Sequence, residues 1–450
     1  MNTSLLTTWE STVAMAPDAV ALVDVATGRT WTRGELDSEA AAWCRAHGAG
    51  LARHTVLIAE ANGAGWLHAF VGLLKAGAAA AALDPGEPPE VQRTIATTLG
   101  TAAVWDGGEL RRGETLARAA RDERRVVKLT SGSTGRPRAL AFTDAQMLAD
   151  GRQVCASMGI APGDVNLGLI PFGHSYGLGN LVLPLLMQGT AIVCGVPALP
   201  QAMAAAVARY RPTVFPAVPA LLRALAVADV AVAELASLRT VISAGAALAP
   251  EVAQAFHAKT GKRIHSFYGS SETGGISYDR TGEASLAARS VGTPLEGVRL
   301  TFELGGRFVV ESAAVFTIGN RRVSADGVGS HRPADTAELN ALGEIVLRGR
   351  VGRFVKIAGR RLNLAEVEQA LRNVPGVRDA LVVPHAGRAD ALAAALATEL
   401  TADAVRDVLR SRLAPWKIPK KIVVLPAFPL TPRGKTDARR VRAMLGSPGT

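Results

Sequence analysis

A chain of 450 residues, 48% hydrophobic and 20% charged, is long enough to bury a large core and to form more than one domain. The formal charge of +11 comes from basic residues scattered among acids, and aromatics reach only 5%, which excludes a base-stacking nucleic-acid platform and leaves anionic small molecules or an acidic protein as partners. The three cysteines, Cys44, Cys155 and Cys194, have neither metal-ligand spacing nor an even count, so they read as buried thiols in a reducing, cytoplasmic setting. No basic n-region precedes an apolar core at the N-terminus, and the longest apolar stretch, 68–83, is interrupted by Lys75, so neither a signal peptide nor a membrane span is expected.

Taken in chain order, the first 120 residues alternate short apolar runs with helical stretches. Residues 56–60 read as a strand, 65–76 as a helix and Leu83-Asp84-Pro85 as a turn, which predicts a parallel sheet with crossover helices. Residues 125–129, centred on Val126 and Val127, form the next strand. It feeds a loop in which Thr130, Ser131, Ser133 and Thr134 surround Gly132, followed by Gly135, Arg136 and Arg138. Such a loop is built to hold phosphate: glycines let backbone N–H groups approach the anion, hydroxyls donate, and cations offset its charge. It is not a Walker A loop, because the G-x-x-x-x-G-K-[ST] spacing is missing. Thr143 and Gln146 give a capping-box pattern that opens a helix over 145–158. A strand at 165–170, a helix after Gly177 and strands at 213–215 and 240–243 follow.

From Val298 the pattern changes. Segments 298–304, 307–311 and 321–324 are short, β-like and separated by glycine turns, which predicts a small β unit. Beyond residue 350 a compact basic module begins, with Asn363 and Glu366 as N-cap and N3 and with Leu364, Val367 and Leu371 on one helix face. Strands at 380–383 and 392–397 and a helix over 401–413 complete it. The expected fold class is α/β: a large N-terminal domain, 1–349, of β/α subdomains plus a small β unit, then a small mobile α+β domain, 350–450.

Several segments share one resemblance. The phosphate loop is similar to the T-S-G-T-T-G-x-P-K-G signature of the adenylate-forming superfamily, which holds acyl-CoA synthetases, aryl-acid ligases, luciferases and peptide-synthetase adenylation domains. Arg138 stands here where lysine is usual, and Ala139 where glycine is. Residues 266–276, Ser-Phe-Tyr-Gly-Ser-Ser-Glu-Thr-Gly-Gly-Ile, resemble its Y-G-x-T-E element, with Ser271 replacing threonine. Ser243-Ala244-Gly245-Ala246-Ala247 resembles the adenine-pocket turn, Asp335 the acid of T-G-D, and Gly349-Arg350 the G-R pair. Thr431-Pro432-Arg433-Gly434-Lys435, after Trp416-Lys417-Ile418-Pro419, is similar to the C-terminal G-K element.

The resemblance implies ATP and Mg²⁺ as cofactors and a two-step reaction: a carboxylic acid becomes acyl-AMP, and a thiol then takes the acyl group. It implies that Thr130, Ser131, Gly132, Ser133, Thr134, Gly135 and Arg138 hold phosphate. Gly245, Ala246, Ala247, Phe267, Tyr268, Gly269 and Ser270 would frame the nucleotide. By the same resemblance Ser271 reaches the α-phosphate, Glu272 holds Mg²⁺, and Asp335 and Arg350 grip the ribose. Lys435 is the mobile catalytic lysine, and Gly352 occupies the hinge position. His174, in Pro171-Phe172-Gly173-His174-Ser175-Tyr176-Gly177, would line the channel near the reacting carboxylate. Gly173 stands where amino-acid-activating members carry the aspartate that meets the substrate ammonium, so an aryl or fatty acyl acid is implied. The acceptor is CoA or, alternatively, the phosphopantetheine of an acyl carrier protein, and the oligomeric state is left open. A reading from another class stays beside this one: Gly173–Gly177 matches the G-x-S-x-G elbow of serine hydrolases, with Ser175 as nucleophile.

Overall fold

The computed structural model describes residues 3–83, 85–113, 119–131, 137–246, 248–287, 290–320, 322–324, 326–350, 354–429 and 438–446. They pack as two compact units. One comprises Met1–Pro85, Leu99–Leu129 and Ala139–Val351; the other comprises Gly86–Thr98, Thr130–Arg138 and Gly352–Thr450.

The first unit is built on open, mainly parallel sheets. Its strands are β1 (Val20–Asp24), β2 (Arg29–Thr32), β3 (Thr55–Ile58), β4 (Ala79–Ala82), β5 (Ala103–Asp106), β6 (Glu109–Arg112), β7 (Val126–Ser131) and β8 (Pro137–Phe142). Next come β9 (Val165–Leu167), β10 (Ala191–Cys194), β11 (Val214–Ala217), β12 (Thr240–Ser243), β13 (Ile264–Ser270), β14 (Gly274–Tyr278) and β15 (Thr293–Pro294). Six strands form one sheet in the order β6-β5-β3-β4-β7-β8, and nine form another in the order β15-β14-β13-β12-β11-β9-β10-β1-β2. β9 to β13 pair in parallel, whereas β13 to β15 are antiparallel. The expectation of parallel strands with crossover helices is met.

Local chemistry explains many of the element boundaries. Ser4, Thr32 and Thr143 cap helices that begin at Leu5, Arg33 and Asp144, each with a reciprocal capping box. The Asp144–Met158 helix ends at Gly159, which takes φ +64°. β4 consists of four alanines, weak strand formers, yet it is set between β3 and β7, and Ala79, Ala80 and Ala81 are buried. Phe70, Phe142 and Phe172, with Trp9 and Trp66, fill the largest core. Full burial of each such ring contributes about 1.5–3 kcal/mol.

Small sheets close this unit. β16 (Arg299–Phe302), β17 (Phe308–Ser312) and β18 (Gly329–His331) form one, and β19 (Asp335–Leu339) and β20 (Ile345–Arg350) another. The expected strand at 321–324 is displaced to β18, and Val323 makes only an isolated bridge to Gly329. The cause is local. Ser330 N donates to Arg322 O at 2.8 Å and Ser324 N to Val328 O at 2.9 Å, but the turn closed by Gly327 N and Ser324 O at 3.0 Å follows at once and holds the pairing to a single bridge.

In the second unit β21 (Phe354–Ile357) pairs with β22 (Arg360–Asn363), and β23 (Val377–Pro384), β24 (Leu392–Thr398) and β25 (Lys421–Leu425) form a three-stranded sheet. The Leu364–Arg372 helix turns Leu364, Val367 and Leu371 into its core. Glu368 on that helix accepts from Val382 N at 2.8 Å, which ties the helix to β23. Lys417 Nζ, largely buried, donates to Glu366 Oε1 at 3.0 Å and also contacts Glu87. Burial opposes its charge, but the two carboxylates outweigh that and raise its pKa.

Candidate active site

In open α/β sheets the carboxyl ends of parallel strands form the ligand-binding crevice. β12 and β13 pair in parallel and both end in residues that the sequence singles out. After β12, Ala244 N donates to Ala217 O at 3.1 Å, and Gly245 turns the chain at φ +87°, a conformation that favours glycine. Ala246 is half-buried beside it, and Ala247 lies outside the described residues. β13 carries Phe267 and Tyr268, both buried, followed by Gly269 and Ser270.

Tyr268 is the hub of one contact. Its phenol donates to Asp335 Oδ2 at 2.8 Å. Asp335 opens β19 and is the Cα partner of Arg350, the last residue of β20. The structure thus joins Tyr268, Asp335 and the backbone of Arg350, three positions far apart in sequence. The Arg350 side chain lies outside the described atoms.

The turn from β13 to β14 is tightly specified. A β-carbon at Gly269 would lie 2.6 Å from Gly274 O, so only glycine permits this approach. The hydroxyls of Ser270 and Thr273 meet at 3.0 Å. Ser271 Oγ accepts from Ser175 Oγ at 3.0 Å. Glu272 is buried, and its carbonyl accepts from Phe316 N at 3.2 Å.

The segment facing this turn is shaped by close contacts. Asn62 accepts from Phe172 N at 2.7 Å and donates to Ile170 O at 2.7 Å, which fixes the approach to His174. Phe172 packs edge-on against Trp66. His174 is half-buried and precedes a short helix, Ser175–Gly177, that continues into a π-helical turn, Leu178–Val182. A β-carbon at Gly177 would lie 1.9 Å from Pro171 O, and one at Gly173 would lie 2.2 Å from Ala82 Cβ. Tyr176 is buried and donates to Ala217 O at 3.3 Å; burial pushes its phenol well above the usual range.

The hydrolase reading finds no support at Ser175. Its hydroxyl donates to another serine, and it sits in a helical turn. The described non-glycine residues with positive φ are Arg53, Arg211, Ala358 and Asp390, so Ser175 lacks the strained geometry of a nucleophile elbow.

Gly132, Ser133, Thr134, Gly135 and Lys435 lie outside the described residues, as do Gly352 and the side chains of Thr130 and Ser131. Arg138, on β8, is exposed. Sequence reasoning missed Asn62, Tyr176, Lys128 and Asp150. Lys128 and Asp150 face each other with Nζ 3.6 Å from Oδ2, each side chain 3% exposed. The available signal was a lysine inside an apolar strand and an aspartate on a helix whose neighbours Met147, Leu148 and Val154 are buried.

Comparison with known proteins settles the family. Residues 102–302 match the family of AMP-binding enzymes, and residues 366–435 match the AMP-binding enzyme C-terminal domain, together more than half of the chain. The chain belongs to the adenylate-forming superfamily. Among solved structures, this adenylate-forming chain is similar to o-succinylbenzoate CoA synthetase from Bacillus subtilis, with TM-score 0.81, 20% identity and coverage of 97% of this chain and 98% of that one. That likeness concerns the fold. Among curated relatives, it is 28% identical to phenyloxazoline synthase MbtB of Mycolicibacterium paratuberculosis over 90% of this chain, but it spans only 39% of that protein. It is 29% identical to the 2-hydroxy-7-methoxy-5-methyl-1-naphthoate–CoA ligase of Streptomyces carzinostaticus, over 74% of this chain and 63% of that ligase.

Proposed function

We propose that this adenylate-forming chain activates a carboxylic acid with ATP and passes the acyl group to a thiol. In the first step a carboxylate oxygen of the acid attacks the α-phosphorus, the bond to pyrophosphate breaks, and acyl-AMP remains. In the second, a thiol sulfur attacks the acyl carbon, AMP leaves, and the thiol proton passes to solvent. The observation that carries this reading is the end of β13 with the turn after it: Tyr268, on the strand, is bonded to Asp335, and Ser271, in the turn, to Ser175.

The residues present fit a nucleotide. Asp335 offers its carboxylate to two ribose hydroxyls, and Tyr268 holds it in place. Gly245, at φ +87°, has no side chain to keep a flat base from lying close to the backbone. Ser271 offers a hydroxyl to the α-phosphate, and Thr130–Arg138 takes the outer phosphates. Lys435 stabilises the charge that develops between carboxylate and phosphate. Magnesium, when bound with ATP, supplies neutralisation of the phosphate oxygens. Among the described residues no cluster of three or more metal-ligating side chains exists, and one buried carboxylate, Glu272, suits an ion that takes its other ligands from substrate and water.

The acid lacks an α-ammonium group in this reading. A side chain at Gly173 would collide with Ala82, so the position cannot carry a carboxylate counterpart without moving β4. An unpaired ammonium there would be costly. Aryl and fatty acyl acids fit this reading. CoA is the proposed acceptor, with carrier-protein phosphopantetheine as the alternative arm of the test. The cysteines Cys44, Cys155 and Cys194 are free, which suits the reducing cytoplasmic setting of this reading, and no described helix is long and apolar enough to cross a membrane.

Exchange of labelled pyrophosphate into ATP tests the reading. Exchange should appear with an aryl or fatty acyl acid and stay at background with the twenty common amino acids. Exchange with an amino acid alone would overturn the assignment of the acid.

A further inference from the structure

Asp150 sits where three elements of the candidate site meet. From the Asp144–Met158 helix its Oδ1 accepts from Gly275 N at 3.1 Å, just past the turn that bears Ser271 and Glu272. Its Oδ2 lies 3.6 Å from Lys128 Nζ on β7, the strand that leads into Thr130. Lys128 Nζ also lies 4.4 Å over the ring of Phe142, on the returning strand β8. One glycine admits the carboxylate: a β-carbon at Gly274, which takes φ +70°, would lie 2.3 Å from Asp150 Oδ1.

A buried ion pair is a poor source of stability. Removing two charges from water costs about as much as their attraction returns, and well-packed apolar residues of similar volume often do as well or better. What the pair does provide is direction: an ammonium and a two-oxygen acceptor fix a geometry that apolar contacts leave loose. We propose that Lys128 and Asp150 are positioning residues for the ATP-dependent half-reaction, holding the 268–275 turn in register with β7. They touch no substrate. They set the distance between the turn that bears Ser271 and Glu272 and Lys128 on β7. The inference rests on the proposed function.

The test is the double variant K128M/D150N, which removes both charges, keeps side-chain length and leaves an oxygen for Gly275 N–H. Four quantities are measured beside wild type: melting temperature, ATP-dependent pyrophosphate release, thioester yield from supplied acyl-AMP, and hydrogen exchange over 268–276. Melting within a few degrees of wild type is expected, with thioester yield within about twofold. Pyrophosphate release should fall about 10²-fold, the scale of a 1 Å misplacement. Exchange over 268–276 should quicken although neither substitution lies there. Wild-type values throughout would overturn the proposal, as would equal loss in both half-reactions. If the double variant does not fold, exchange at Gly275 in the wild-type protein decides: protection equal to that of β13 supports the proposal, and rapid exchange overturns it. If wild type releases no pyrophosphate with any acid, the proposed function fails, while the exchange data still judge the role of the pair.

Discussion

Tyr268 and Asp335 show how one hydrogen bond joins motifs that are remote in sequence. The bond is 2.8 Å long and ends on a carboxylate, and such bonds contribute about 1.5–3 kcal/mol. Tyr268→Phe keeps the ring and loses the bond. Steady-state pyrophosphate release should then show KM for ATP raised roughly tenfold, with kcat changed less than about threefold. An unchanged KM would mean that Asp335 is held by other means. A second residue sets a pH dependence. Asp164 accepts from Ala161 N at 2.8 Å and Thr213 Oγ1 at 2.7 Å and pairs with Arg239 at 2.7 Å. Burial pushes its carboxyl up, but these partners outweigh burial and hold it below the usual range. A depressed carboxyl contributes stability above the unfolded value of about 3.9, and that stability is lost as pH falls through the folded value. Asp164→Asn should therefore cost about 1–2 kcal/mol in urea unfolding at pH 7. The gap from wild type should begin to narrow once pH falls below about 4 and keep narrowing as the folded carboxyl takes up its proton; a gap that stays constant as pH is lowered through the acid range would contradict this origin. The contacts of Tyr268 with Asp335 and of Ser271 with Ser175 join positions that the sequence had singled out by their resemblance to family motifs. Lys128 and Asp150 were not legible, because a charge pair depends on which strand a helix packs against, and sequence distance does not encode that.

At the scale of elements, close approach is the recurring constraint. The turn before Ser175 brings Gly177 against Pro171 O, where a β-carbon would sit at 1.9 Å. Gly177→Ala should lower stability by about 1–3 kcal/mol and displace Ser175 from Ser271. Gly163→Ala is the control, since nothing lies within 4 Å of an added β-carbon there. It should stay within about 0.5 kcal/mol of wild type, so equal melting of the two variants would refute the steric account. Element type was readable where local signals were strong. The Thr143–Gln146 capping box opens its helix as expected, and Thr240–Ser243 is a strand as expected. β4 was hidden because four alanines carry no periodicity, and only burial between β3 and β7 makes them a strand. The strand expected at 321–324 shrinks to one bridge at Val323, because Arg-Arg-Val-Ser has a single apolar side chain to bury and a turn at Ser324 and Gly327 follows it.

On the scale of the whole chain, two compact units carry different parts of the proposed chemistry. The 366–435 match places the sequence of Lys435 in the AMP-binding C-terminal family, whereas Tyr268, Ser271 and Asp335 lie in the other unit. Lys435→Ala should cut adenylation by about 10²–10³, the scale for loss of one strong charge contact in a dry site. Thioester formation from supplied acyl-AMP should survive. Equal damage to both half-reactions would refute a role confined to the first.

The most direct test of acid activation is hydroxylamine trapping of the acyl-AMP across a panel of aryl, fatty acyl and amino acids, with ATP present or omitted. An ATP-dependent hydroxamate is expected from at least one aryl or fatty acyl acid, with its loss in Ser271→Ala. A protein that forms no hydroxamate from any acid, yet hydrolyses p-nitrophenyl esters without ATP and loses that activity in Ser175→Ala, would contradict acid activation.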